Sequence, residues 1–145
     1  MKLLLHTPGE PGGIGIECLL KQAQTPHDYC RVALTDAALL KQQSDSLGLP
    51  IKLLEINPLA DELPATAAGE LYVLPKLALT EFVATRFGQC LSAHARLQLQ
   101  ALDTAVELLA QREGALITGP VQKSALAHER PDFRGHTEYL SLIHI

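Results

Sequence analysis

Two polar clusters stand close together in the last third of the chain: Thr118-Gly119-Pro120 with Lys123, and Gly135-His136-Thr137-Glu138. Their residue types suit recognition of an anionic small molecule. A lysine ammonium pairs with a phosphate or carboxylate, and an imidazole beside a hydroxyl can hold the polar atoms of a ligand. Ala115 to Thr118 reads as a buried strand that Gly119-Pro120 breaks, so the next helix starts with proline at its first position, where the missing N–H costs nothing. Lys123 then falls about one turn into that helix. The macrodipole disfavours a cation there by roughly 0.3–1 kcal/mol, so a lysine makes better sense with an anion held nearby. The plain alternative is a lysine directed into water. His136 and Thr137 follow a Pro/Asp/Phe/Arg/Gly turn and stand at the mouth of a further helix. Thr137 can equally be an ordinary N-cap, although its capping-box position three residues on is Leu140 rather than Glu or Gln.

A second candidate loop, Pro8-Gly9-Glu10-Pro11-Gly12-Gly13-Ile14-Gly15-Ile16-Glu17, follows a short apolar strand, Lys2 to Thr7. Glycine lets backbone approach a ligand, which makes Gly12, Gly13 and Gly15 the candidates for cofactor contact; a tight strand-to-helix turn explains the same residues without a ligand. The dinucleotide fingerprint G-x-G-x-x-G fails because Cys18 stands where a third glycine is needed after Gly13 and Gly15, and no Gly-Lys-Ser/Thr follows to make a P-loop.

The elements that must position these clusters alternate in type. Ile14 to about Gln24 reads as a helix and Arg31 to Thr35 as a strand. Ala37 to Leu47 reads as a helix capped by Asp36 and ended by Gly48 and Pro50, and Ile51 to Ile56 as a strand. Asn57 to Ala68 is a loop and Leu71 to Leu74 a short strand. From about Gln89 to Arg112, Leu91, Ala95, Leu99, Leu102, Val106 and Leu109 recur at steps of three and four, while Gln100, Asp103 and Glu107 point away. That stripe predicts a long helix packed on the sheet, closed by Gly114. Alternation of this kind means the α/β class, whose ligands bind beyond the carboxyl ends of the strands. The loops after Thr7, after Thr118 and before Thr137 are therefore expected to converge.

Taken together, TPGEPGGIGIE, ALITGPVQKSAL and FRGHTEYL resemble the 4-hydroxythreonine-4-phosphate dehydrogenase family of vitamin B6 biosynthesis, in the family's order and over nearly the whole chain. The resemblance implies an α/β/α sandwich like that of the isocitrate and isopropylmalate dehydrogenases, with two domains, a cleft between them, and a homodimer whose sites include groups from both subunits. It implies an oxidoreductase of pyridoxine and pyridoxal phosphate biosynthesis. The NAD-dependent reaction would oxidise 4-phosphooxy-L-threonine to a β-keto acid that decarboxylates to 3-amino-2-oxopropyl phosphate, with a divalent metal (Zn, Mg or Co) polarising the oxygen. Position by position, His136 and Thr137 match the family's substrate-binding pair, and Lys123 in TGPxxK matches a lysine facing the cleft. The front loop resembles the family's TPGDPAGIGPE, with Glu10 for Asp, Gly12 for Ala and Ile16 for a proline that would pre-set the first helical turn.

The family's metal-binding histidines lie beyond its GHTE motif, and the catalytic acid and base are not assignable here. His6, His27, His94, His128, His136 and His144 include no i, i+4 pair and no His/Glu zinc signature, so no metal site is expected in this chain. With 145 residues the chain is about half of what the resembling family uses. Residues 1–145 read as an N-terminal portion carrying most of the first domain and the start of the second, an incomplete sandwich expected to be catalytically silent alone. The ending Ser141-Leu142-Ile143-His144-Ile145 departs from the family's continuation and resembles translated read-through; a natural short paralogue is the competing view.

An apolar content of 47% supports a core, and a net charge of −4 argues against nucleic-acid or polyanionic-membrane partners. The opening run of apolar residues is too short for a signal segment or a membrane span, so a cytoplasmic location is expected. Cys18, Cys30 and Cys90 are odd in number and unspaced, which suits a reducing compartment and small core residues. Two other functions fit the same residues: a non-catalytic phosphometabolite-binding module, and a non-binding subunit that pairs through its helical face with a longer relative. Within the enzyme class, another phosphorylated hydroxy acid such as a phosphoerythronate is the alternative substrate.

Overall fold

Leu3 and Leu5, alternate residues of the first strand, are fully enclosed, and a parallel sheet is built around that strand. The computed structural model describes residues 3–60, 62–79 and 85–142. Lys2, expected to open the first strand, and the Ile143-His144-Ile145 end lie outside the described residues. The strands are β1 (Leu3–Thr7), β2 (Cys30–Ala33), β3 (Lys52–Glu55), β4 (Glu70–Val73) and β5 (Gly114–Thr118), in the order β3-β4-β2-β1-β5 with every neighbouring pair parallel. The helices are α1 (Gly15–Ala23), α2 (Ala37–Leu47), α3 (Ala95–Leu109), α4 (Lys123–Glu129) and α5 (His136–Leu142).

Chain direction settles the layers. The crossovers through α1 and α2 step from β1 towards β3, whereas α3 carries the chain back from β4 to β5 on the far side of β1. Right-handed crossovers of opposite sense lie on opposite faces. Register agrees: Leu3 is level with Cys30 and Gly114, and a Cβ at Gly114 would lie 3.0 Å from Leu109 Cδ2, so α3 covers the face of Leu3, Leu5 and Val32. Leu4, His6, Arg31 and Ala33 turn the other way, towards α1 and α2. The helix α2 starts where Asp36 accepts from the amides of Ala38 (2.6 Å) and Leu39 (3.1 Å) and ends at Gly48 in the left-handed region, φ +63°.

Two apolar clusters result, and α3 belongs to both. Leu97, Ala101, Ala105 and Leu108 join the large core over the sheet, while Ala95, Leu99 and Leu102 join Leu126 and Phe133 in a smaller one beneath α4 and α5. An amphipathic stripe on one face was the expectation; burial on two sides is the outcome. The helix is also shorter than its pattern. Leu91 is extended (ψ 128°), Ser92–His94 is a single 3₁₀ turn, and the Gly88 amide is tied to the Gly12 carbonyl at 2.7 Å, which holds the segment before Ala95 out of helix. Asp103, expected to face water, is paired with Arg130 at 2.9 Å.

Further differences concern the ends of elements and the cysteines. The C-cap of α3 is Ala110, not Gly114, which instead opens β5 with its α-carbon pressed against the Leu3 carbonyl. A buried strand is predicted for Ala115 to Thr118, yet β5 is an edge strand with Gly114, Ala115 and Ile117 exposed. Its composition suits burial on both faces, and among the described residues it has a neighbour on one side only. Only Cys30 is a core residue; Cys18 and Cys90 are exposed, and all three are free thiols.

Candidate functional site

Pairing between the loops continues past the ends of β1 and β5. Thr7 is level with Thr118, the Gly119 amide donates to the Thr7 carbonyl (2.6 Å), and the Glu10 amide donates to the Pro120 carbonyl (2.9 Å). A Cβ at Gly119 would overlap the Pro8 carbonyl, and one at Gly9 (φ +79°) would overlap the Pro120 carbonyl. Two loops that approach this closely leave no room for side chains. Pro120 is therefore held in this paired run rather than at the first position of a helix, as its sequence context predicts. The next helix starts at Lys123, with Gln122 before it at φ −84° and ψ 99°.

The front-loop glycines have the same kind of reason. A Cβ at Gly12 would overlap the Gln89 carbonyl and one at Gly15 the Pro8 carbonyl, so protein backbone fills the space that glycine opens. Gly12 and Gly13 line a cavity of about 240 Å³ together with Glu10, Cys90, Pro120 and Gln122. Glu10, which sequence reasoning treated only as a substitute for Asp, is the hub of this loop. Its buried carboxylate accepts from Gln98 Nε2 (2.9 Å), Cys90 Sγ (3.3 Å) and the Gly12 amide (3.3 Å), with His94 Nδ1 at 3.9 Å. Burial alone would raise its pKa, but the bonds from His94, Cys90, Gly12 and Gln98 outweigh that and hold it below the usual carboxylate range. Burial, followed by the neighbouring Glu10, pushes the Cys90 thiol up to about 11, so it stays protonated and donates.

Lys123, the first residue of α4, and His136, the first of α5, are brought together. A Cβ at Gly135 would lie 3.5 Å from Lys123 Nζ, which places the ammonium at the start of α5. The Gly135 carbonyl accepts the first helical bond, from the Tyr139 amide at 3.0 Å. Gly135, at φ +153°, thus takes the position that Thr137 was considered for, and Glu138 rather than Leu140 stands three residues beyond it. Thr137 is exposed on the first turn.

His136 also lines a narrow cleft with Thr7, Gly9, Thr35, Gln98 and Val121, so the loops after Thr7, after Thr118 and before Thr137 converge as expected. The cleft volume, about 10 Å³, accommodates roughly one water. Thr7 Oγ1 and Gln98 Oε1 have no hydrogen-bond partner among the described residues, so two polar atoms are available to a ligand there. The hydroxyl of Thr7 is foreshadowed only by its place at the end of a strand; Gln98 lies within the predicted long helix and carries no signal of its own as a site residue.

Burial first, and the Lys123 charge second, hold the His136 pKa below its ordinary value, so the imidazole is neutral at pH 7. A neutral ring beside an ammonium is a setting for an anion. A divalent metal does not fit these residues: among those described, no three His, Cys, Asp or Glu side chains converge. Nor do the front-loop glycines form an open dinucleotide cradle, since Gly12 and Gly15 already face protein carbonyls.

Comparison with known proteins bears on the family and the fold. The family model described as pyridoxal phosphate biosynthetic protein PdxA matches residues 27–143. The chain is 41% identical over 136 residues to a 4-hydroxythreonine-4-phosphate dehydrogenase of Pseudoalteromonas translucida, covering 93% of this chain and 40% of that protein. A relative of the same name from Thioalkalivibrio sulfidiphilus is 43% identical over 138 residues, with the same two coverages. The crystal structure of 4-hydroxythreonine-4-phosphate dehydrogenase from Klebsiella pneumoniae shares the fold, with a TM-score of 0.81 at 23% identity over 99% of this chain and 44% of that one. The chain thus spans about 40% of the length of the curated relatives it matches. Motif order, fold and the family match over most of its length agree, and the chain belongs to the PdxA family of pyridoxal phosphate biosynthetic proteins.

Proposed function

We propose that this chain carries part of the substrate site of a 4-hydroxythreonine-4-phosphate dehydrogenase, with Lys123, His136 and Thr137 holding the substrate. The observation that supports this reading is the juxtaposition of the Lys123 ammonium with Gly135 at the start of α5, next to a neutral His136. Lys123 is in no ion pair among the described residues, although the Glu138 carboxylate stands at the same glycine (2.8 Å from a Cβ at Gly135), so the substrate's phosphate would share the ammonium's field with that carboxylate. The His136 ring offers one donor and one acceptor nitrogen, and the Thr137 hydroxyl a further donor or acceptor. Such an enzyme would use NAD to oxidise 4-phosphooxy-L-threonine to a β-keto acid that loses carbon dioxide. Its NAD and its divalent metal enter this reading through family membership. Gly13, which borders the 240 Å³ cavity and is less pressed by a facing carbonyl than Gly12 or Gly15, is the front-loop glycine best placed to meet a ligand. In this reading the chain supplies most of one domain and the start of a second in a cytoplasmic homodimer.

Titration of the chain with inorganic phosphate and with 4-phosphooxy-L-threonine, followed through the His136 imidazole signals by NMR, tests the assignment. A saturable shift is expected, accompanied by a rise in the His136 pKa, because a bound dianion offsets the Lys123 charge. Lys123→Gln should weaken binding about 10- to 100-fold, the value of a charge-assisted hydrogen bond. Absence of any His136 response to both ligands overturns the site. The 145-residue chain is expected to form no NADH from substrate with added metal; turnover would refute its inactivity.

A further inference from the structure

Beneath the candidate site, Asp103, Arg130 and Tyr139 close a three-way contact that ties α3, the end of α4 and α5 together. Arg130 donates through one terminal nitrogen to Asp103 Oδ1 (3.2 Å) and through the other to Oδ2 (2.9 Å), a two-pronged guanidinium–carboxylate pair. The Tyr139 hydroxyl donates to Asp103 Oδ1 and accepts from Arg130, whose guanidinium carbon lies 5.1 Å from the Tyr139 ring centroid. Burial works against the Asp103 charge, yet the bonds from Arg130 and Tyr139 prevail and hold its carboxyl below the usual range. The contact is therefore intact across the neutral pH range.

What α5 otherwise rests on is slight. It has seven residues, too few to be helical unaided, and none of its described side chains is fully buried. Phe133 is a further link, beside the packing of Tyr139 on the small cluster: its ring stands edge-on to His136 at 6.3 Å and tilted against Tyr139 at 5.8 Å. Tyr139 sits three residues after His136, one turn along the same face. Any roll or tilt of α5 that moves one of these rings moves the other.

We propose that Asp103, Arg130 and Tyr139 are positioning residues for His136: by fixing α5 against α3 they set where the imidazole faces in the cleft. The inference rests on the reading of His136 as a ligand-binding group. It explains why two charged residues with no direct line to the cleft are joined so fully. It also gives Tyr139 a use for its hydroxyl, which an apolar ring in the cluster of Leu126 and Phe133 would not need.

Tyr139→Phe in the chain removes one hydroxyl and keeps the ring on Phe133. Three quantities are read: thermal midpoint, the His136 imidazole titration, and the dissociation constant for inorganic phosphate. The expected result is a modest fall in midpoint together with a rise in the His136 pKa, since Lys123 from α4 is the charge acting on that ring and loosening α5 lessens its burial as well. Phosphate binding should weaken about tenfold. Asp103→Asn should do the same, and the double variant should be no worse than the worse single one, as for residues acting as a unit. A lowered midpoint with the His136 titration and phosphate affinity unchanged overturns the proposal, leaving the clasp merely structural. Should Tyr139→Phe not fold, Arg130→Lys keeps the charge and loses the fork, and is read the same way. If the parent chain does not bind phosphate, the substrate reading fails on its own, and the His136 titration still decides the positioning role.

Discussion

The guanidinium of Arg31 is enclosed on the α1 and α2 side of the sheet, and none of its three nitrogens has a partner among the described residues. A charge buried without a partner costs several kcal/mol unless something compensates, and burial accordingly lowers its pKa. Arg31→Leu, which keeps an apolar body at that position, is expected to stabilise the chain by about 1–3 kcal/mol in urea unfolding. A loss of stability would mean that the guanidinium has a counterpart in solution. On the same face, His6 is 5% exposed, and burial, Arg31 and His27 in that order bring its pKa down from 6.5 to about 4. The folded chain thus keeps His6 neutral to about pH 4, whereas the unfolded chain takes up the proton near 6.5. His6 therefore makes stability fall between those two pH values, by roughly 3 kcal/mol in all, and contributes no pH dependence above about 7. Comparing urea midpoints at pH 7 and 5 for the chain and for His6→Gln checks this, since the variant should lose most of the slope.

Among the elements, α2 is the one whose limits were fully legible, because Asp36 and Gly48 are local signals that act through their own backbone. Asp36 does more than cap. Its second carboxylate oxygen accepts from the Leu79 amide at 2.7 Å, so one side chain starts a helix and fastens a distant loop. Asp36→Ala should cost about 1–3 kcal/mol, above the usual cap value, and Asp36→Ser, which restores the cap alone, should recover only part of it in thermal unfolding. The limits of α3 and α4 were not legible for the opposite reason. Leu91 and Pro120 carry helix-compatible patterns, but tertiary pairing of Gly88 with Gly12 and of Glu10 with Pro120 holds both stretches out of helix. Spacing placed His136 and Lys123 near each other; it could not place Glu10, whose partners Cys90, His94 and Gln98 lie some eighty residues away in sequence.

For the molecule as a whole, alternation of strand and helix was enough to give the α/β class, and the three loops converge at one edge of the sheet as that class requires. Strand order was not legible, since β4 inserts between β2 and β3 and the exposed position of β5 depends on what lies beside it. That edge has a measurable consequence. Ile117 is 43% exposed on a strand with unpaired backbone groups, an arrangement that favours association between chains. Ile117→Lys is expected to reduce concentration-dependent association in analytical ultracentrifugation while leaving unfolding free energy within about 0.5 kcal/mol. Unchanged association would place the sticky surface elsewhere.

The interlocked carbonyls and glycines of Pro8-Gly9 and Gly119-Pro120 divide the labour around the cleft. Because neither loop can shift without driving the other's carbonyl into its α-carbon, the two behave as a single anvil, continuous with β1 and β5. A cleft with room for one water must widen before it admits anything larger, and that widening falls to the rest of its lining, the α3 side chains Leu97, Gln98, Ala101 and Leu102 and His136 at the start of α5. Any change in the size of what the cleft admits thus comes from α3 and α5, while Gly9 on the fixed side holds its place.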